Sequence, residues 1–276
     1  LRFRGAFQNL LLSKEANDTA ADFLKEKIRG VVKDPETAEK LANIDHPYGA
    51  KRPPIDTTYF ETYNRDNVTL VDVRTHPIQR ITETGLETTE GHHELDVIVF
   101  ATGFDAMTGP LLSLNLKGKN GVSLRNAWAA GPRTYLGVQI RDFPNLFTVT
   151  GPGSPSVLCN MPVCIEQHVE WIADCIAHLE ATGAKTMEPT EEAVVEWVAH
   201  VNDAANATLL PTVKHSWYLG ANVPGKPRVF MPYAGGMVRY RRIAEDIAKD
   251  GYRGFEIDGS AATGVALPQD IVAEGV

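Results

Sequence analysis

Leu95-Asp-Val-Ile-Val-Phe100 is followed by Ala101-Thr102-Gly103-Phe104-Asp105, and this stretch decides the fold class. A near-continuous apolar run of strand length suits a β-strand covered on both faces, as in parallel sheets flanked by helices. The Gly103 turn puts a residue without a side chain where a dinucleotide would approach a sheet's carboxyl edge. Taken by itself, the turn fits an ordinary strand end equally well. A second run of the same character, Asn145-Leu-Phe-Thr-Val-Thr150, ends in Gly151-Pro152-Gly153. Both runs are expected as parallel strands, over 96–101 and 145–150, in an α/β architecture.

Helical spacing surrounds them. Ala21, Phe23, Leu24, Ile28, Val31 and Val32 recur among charges, followed by Ala38, Leu41 and Ile44. Asp34-Pro35 splits this region into two helices, because proline suits a first turn and not an interior. Val163, Ile165, Val169, Ile172, Ile176 and Leu179 mark one face of a long helix starting near Met161, and Val194, Trp197, Val198 and Val201 mark another helix. On the long helix, Glu166, Gln167, His168 and Glu170 read as a solvated or interfacial polar face. Arg239-Tyr240-Arg241-Arg242 reads as a solvated helix start, and Trp128, Trp171 and Trp197 as ordinary buried indoles.

The 276 residues carry a net charge of -8, which speaks against a nucleic-acid partner needing a basic face. No run approaches the roughly 18 apolar residues of a membrane span, so neither a membrane nor a nucleic acid is expected as partner, and the expected location is the cytoplasm. Cys159, Cys164 and Cys175 cannot all pair and form no Cys-x-x-Cys arrangement, so they read as reduced thiols. No metal site is expected, since His92-His93 has only Glu94 close by. Neither Ser154 nor Ser156 stands in a Gly-x-Ser-x-Gly elbow.

Three loops carry the remaining chemistry. Lys51-Arg52-Pro53 lies in a stretch dense in proline and glycine, and from the residues alone reads as two solvated cations. Gly151-Pro-Gly-Ser-Pro-Ser156-Val157-Leu158-Cys159-Asn160-Met161 leads into the long helix, whose N-terminus offers unpaired N–H donors and a partial positive charge. A strand-to-helix connection capped by Ser156 or Asn160 is the plainer alternative. Trp217-Tyr-Leu-Gly-Ala-Asn222-Val-Pro-Gly225-Lys-Pro-Arg-Val-Phe230 packs an indole, an amide and a glycine turn together, as suits gripping a ligand.

Taken together, these loops and the Ala101-Thr102-Gly103-Phe104 turn resemble the C-terminal half of type I Baeyer-Villiger monooxygenases, and the 151–161 stretch is most similar to the phenylacetone and steroid branch. The resemblance runs from about residue 45 to residue 257. It implies an α/β flavoprotein with FAD and NADP domains and a helical insertion: 1–48 that insertion, 49–103 the end of the NADP domain, 104–257 the second part of the FAD domain, and 258–276 a tail. It implies FAD and NADP(H) as cofactors, molecular oxygen and a ketone as substrates, and an ester or lactone as product. Arg52 would stabilise a flavin peroxide and its ketone adduct, while Lys51 would meet the NADP 2′-phosphate. Thr102, Gly103, Phe104, Gly151, Gly153, Asn160, Met161, Trp217 and Asn222 would contact the cofactors. Ser156, Val157, Leu158 and Cys159 would line a pocket for aryl or bulky ketones.

The chain contains no Gly-x-Gly-x-x-Gly turn. In this family both such turns belong to the N-terminal half, so half of each cofactor site and a partner in that missing half are expected. Two other readings stand beside this one: a truncated fragment or binding module without catalysis, and an N-hydroxylating flavin monooxygenase. Lys51-Arg52-Pro53 and Trp217 speak against the last.

Overall fold

The computed structural model describes residues 9–261, and within it the chain divides into two units, 15–104 and 105–261 together with the segment before Glu15. The first unit holds helices α1 (Lys14–Val31), α2 (Pro35–Ala42) and the single turn α3 (Tyr59–Thr62), then an antiparallel meander of β1 (Ile78–Thr82), β2 (Gly85–Thr88) and β3 (His92–Glu94). Helix α2 begins where the sequence demands. Asp34 caps it by accepting the Thr37 N–H at 2.8 Å, with Pro35 in the first turn. Ile28, Val32, Ala38 and Ala42 bury together, with Phe60 and Tyr63 against them. Asn64 ties the helices to the chain beyond: its side chain accepts the Lys33 N–H and donates to Val31 O.

The second unit is built on helices, with short elements between them. Its turns α4 (Gly109–Ser113) and α5 (Leu124–Ala127) precede the long α6 (Met161–Thr182). After β4 (Met187–Pro189) come α7 (Glu191–Asn206), α8 (Met237–Lys249), β5 (Phe255–Ile257) and β6 (Ser260–Ala261), and β4, β5 and β6 form a second antiparallel sheet. Thr190 caps α7 by accepting the Ala193 N–H, with Glu191 and Glu192 favoured by the helix dipole. Helices α6, α7 and α8 converge on one core containing Trp171, Trp197, Tyr240, Ile243 and Ile247. The hairpin β5–β6 continues to Ala261, and residues 262–276 of the expected tail lie outside the described residues.

Several expectations are met: the two helices split at Asp34-Pro35, the helices at 161 and 191, the helix over 239–242, and buried Trp128, Trp171 and Trp197. The protein mixes helix and sheet, as an α/β reading requires, but neither apolar run is a parallel strand. Residues 95–101 adopt no regular element, with Val97 75%, Val99 81% and Phe100 72% exposed. A strand exists only by hydrogen bonding to neighbours. Beyond the Leu95 N–H, which donates to Thr84 O at 3.0 Å, no described strand pairs with this segment. Residues 145–150 form one antiparallel bridge, Phe147 with Gln139, and positive φ angles at Asn145 (59°) and Thr150 (53°) prevent a longer extended run.

Helix α6 also packs differently from its sequence reading. Cys164, Gln167, His168, Trp171, Cys175 and Leu179 face the core, so two members of the expected polar face are buried. Val163, Ile165, Val169 and Ile176 are exposed instead. The helix is apolar on two sides, and the side bearing Trp171, whose Nε1 donates to Ala244 O, won the core. No helix among the described residues is long and apolar enough to cross a membrane.

Candidate functional site

The Gly151-Pro152-Gly153-Ser154 turn is held from every direction by the chain itself. Trp197 Nε1 donates to Gly153 O at 3.0 Å, the Gly153 N–H donates to Met231 O at 2.7 Å, and Thr134 Oγ1 donates to Pro152 O at 2.6 Å. The Tyr233 N–H donates to Ser154 O. A Cβ on Gly151 would stand 2.5 Å from Gly137 O, and one on Gly153 2.9 Å from Thr134 Oγ1. Both glycines are therefore demanded by internal close approach. Gly153, expected to contact a cofactor, has its own N–H already committed to Met231 O.

Beyond the turn, Ser156–Leu158 make a tight 3-10 turn and Asn160 stands at the α6 N-cap. Asn160 makes no side-chain cap and Pro162 has no N–H, so the Met161 and Val163 N–H groups of a 22-residue helix are not capped by it. Ser156 is buried, Val157, Leu158, Cys159 and Met161 are half-buried, and Asn160 is exposed. Behind them lies a polar chain that sequence reasoning missed. The Thr150 N–H donates to His168 Nδ1 at 3.0 Å, which puts the ring proton on Nε2. Nε2 meets Tyr240 Oη at 2.8 Å, and Tyr240 donates onward to Leu136 O at 2.6 Å. His168 thus pins the approach to α6 against α8. The signal was available only as helical phase, since His168 lies four residues from Cys164 and seven from Cys175. A hydrogen bond from Cys159, opposed by burial and aided by His168, pulls the Cys164 thiol down to about 5.

Trp217–Leu219 form another short turn, whose segment folds back on itself: the Val229 N–H donates to Leu219 O and the Met231 N–H to Tyr218 O. Trp217 is half-buried, edge-on to Tyr218 at 4.5 Å, and Asn222 is exposed. Lys226 pairs with Asp105 and reaches Ala106 O at 3.4 Å, tying this segment to the chain just after Phe104.

In the first unit, Arg52 is exposed and Lys51 half-buried in a loop without regular structure. Its base is anchored by Asn17 of α1, which is 1% exposed. The Asn17 side chain donates to Tyr48 O at 2.9 Å and accepts the Tyr48 N–H at 2.8 Å. An asparagine on a helix's apolar side is the sequence signal for such a clamp, and it was passed over. Asn17→Ala removes both hydrogen bonds to the Tyr48 backbone and is expected to destabilise the first unit by roughly 1–3 kcal/mol. Urea denaturation checks this, and an unchanged midpoint would show that the clamp holds nothing. Thr102, Gly103 and Phe104 are all exposed, Phe104 at 89%. No group of three metal-ligating side chains occurs among the described residues.

An uncapped N-terminus on a long helix suits an electron-rich or anionic group, and in the helix's second turn the buried Gln167 Oε1 has no partner among the described residues. The residues present therefore fit a flavin. Over 91% of its length the chain superposes on a steroid monooxygenase bound to NADP, at 54% identity and a TM-score of 0.84. The chain is homologous to the C-terminal part of Baeyer-Villiger monooxygenases. A structure of OTEMO in complex with FAD and NADP matches 91% of the chain at 45% identity, with a TM-score of 0.87. The Baeyer-Villiger monooxygenase of Pseudooceanicola batsensis is 45% identical over 258 residues, 93% of this chain and 46% of that protein. The chain thus spans about half the length of the Baeyer-Villiger monooxygenases it matches. No protein-family profile matches it.

Proposed function

We propose that the chain serves a Baeyer-Villiger oxygenation, in which a ketone, O₂, NADPH and a proton give an ester or lactone, NADP⁺ and water. The observation that carries this reading is the uncapped α6 N-terminus behind the braced Gly151 turn, in a chain homologous to ketone monooxygenases. On this reading 1–48 is the helical insertion, 49–103 the end of the NADP domain and 104–257 the second part of the FAD domain. FAD and NADP(H) are the cofactors, and the N-terminal half that relatives carry is the partner. The place of work is the cytoplasm.

Bound flavin would supply the activation of O₂. The chain's residues do the rest. The α6 N-terminus, with Asn160 and Met161, would hold the electron-rich end of the flavin, and Thr102, Gly103 and Phe104 would offer a cofactor exposed backbone and ring. Gly151 and Gly153 act by letting their turn pack closely enough to aim α6. Arg52 would supply a permanent positive charge to the reacting oxygens, where negative charge develops as the carbonyl is attacked. Trp217 and Asn222 grip the nicotinamide nucleotide. Ser156, Val157, Leu158 and Cys159 wall the ketone pocket, shaped for aryl or bulky ketones.

Exposed apolar surfaces support the need for a second half. Val97, Val99 and Phe100 on one unit, and Val163, Ile165, Val169 and Ile176 on the other, are exposed among the described residues. The reading is tested by combining the chain with such an N-terminal half and following conversion of an aryl ketone by gas chromatography. Ester formation dependent on NADPH supports it, and NADPH oxidation yielding only peroxide overturns it. In the same assay Lys51→Ala is expected to raise KM for NADPH about tenfold more than for NADH, the worth of one charge-assisted contact. Equal effects on both would remove the phosphate contact.

A further inference from the structure

Two of the three cysteines sit together at the start of α6. Cys159 precedes the Asn160 cap, is half-buried, and has its Sγ 3.1 Å from Ser156 O. Cys164 lies in the first turns of the helix and is wholly buried. With Asn160 as the N-cap of α6, Cys159 just before the cap and Cys164 at the fourth helical position take the two places whose side chains meet across a helix start. The turn that brings Cys159 to the helix start holds Ser156 at φ 44°. The third thiol, Cys175, is buried against Met187 Sδ at 3.1 Å, far along the helix. The pair plays no part in the oxygenation reading, beyond Cys159 lying along the proposed pocket wall.

We propose that Cys159 and Cys164 form a redox-active dithiol that hydrogen peroxide converts to an intramolecular disulfide. Thiols set side by side across a helix start need only side-chain rotation to bond. The more accessible Cys159, as its thiolate, attacks peroxide. The O–O bond breaks, Cys159 becomes a sulfenic acid, and the departing hydroxide takes up a proton as water. Cys164 then loses its proton and attacks the Cys159 sulfur. The S–S bond forms, the S–O bond breaks, and a second water leaves. Two thiols are oxidised by two electrons and one peroxide is reduced to two waters. The low Cys164 value supports the second step, because a thiolate is the attacking species. Burial pushes Cys175 up to about 12, which makes it an internal control.

The disulfide would fasten the Ser156–Cys159 turn to the helix it introduces. Its chemistry does not depend on which reaction the chain serves. The test treats the reduced full chain with a modest molar excess of hydrogen peroxide, titrates thiols with an aromatic disulfide reagent under denaturing conditions, and maps peptides by mass. The expected result is loss of two thiols out of three, a Cys159–Cys164 linked peptide lighter by two hydrogens, and an unmodified Cys175. Dithiothreitol restores all three thiols. In Cys159→Ser the linkage disappears and Cys164 remains a thiol, and in Cys164→Ser a sulfenic acid accumulates on Cys159 that dimedone traps. Should either variant fail to fold, the peptide map of the unaltered chain decides alone. Three surviving thiols, linkage only between chains, or direct passage of Cys159 to sulfinic acid would overturn the proposal.

Discussion

Arg52→Ala is expected to lower ester formation by about 10²–10³-fold, the usual cost of removing one preorganised charge from the reacting oxygens. Stability should hardly move, because Arg52 is exposed in an irregular loop and surface cations contribute little to folding. The loop's geometry is set by Asn17 and Tyr48, which the substitution leaves alone. NADPH oxidation is expected to continue in the variant and to release hydrogen peroxide. Gas chromatography of the ester together with peroxide titration checks both halves of this expectation. Ester formation at an undiminished rate would remove Arg52 from the mechanism.

Trp197→Ala is expected to cost about 3–5 kcal/mol, a large share of the 5–15 kcal/mol that holds a domain folded. Trp197 is fully buried and packs against His200, Tyr233, Tyr240 and Tyr135 at ring separations of 5.3–6.3 Å. Its Nε1 is the donor to Gly153 O, so the variant opens a cavity and also releases one strut of the Gly151 turn. Half-buried Trp217 should cost much less on the same substitution. Urea unfolding of both variants checks the order, and equal midpoints would show that the turn is held without the indole.

Much of the helical half was legible. Asp34-Pro35, Thr190 with Glu191 and Glu192, and the spacing of Val194, Trp197 and Val201 each fix a helix by local chemistry. What failed depended on partners outside the segment. The run Val97–Phe100 has a strand's composition, but pairing is a property of two segments, and composition names only one. Helix α6 carries two apolar sides, and counting hydrophobes chose Val163 and Val169 over the side with Cys164, His168 and Trp171. Hydrogen bonds decided that contest: Trp171 to Ala244 O, and His168 between Thr150 and Tyr240. The same holds at the candidate site. Arg52 and Trp217 were singled out by their motifs, whereas Asn17 and His168, which set the loops, show themselves only once the helices are placed.

On the proposed reading, this chain supplies one side of a flavin site whose phosphate-binding glycine turns lie in a separate half. Isothermal titration of FAD into the chain, alone and with a separately expressed N-terminal half of a relative, addresses it directly. The chain alone lacks a Gly-x-Gly-x-x-Gly turn, so the pyrophosphate would meet no cradle of helix N–H donors, and weak or undetectable binding is predicted. With the N-terminal half present, tight binding with one FAD per pair is predicted, exceeding what that half achieves by itself. Tight stoichiometric binding to this chain alone, or no gain over the N-terminal half on adding it, would contradict the account.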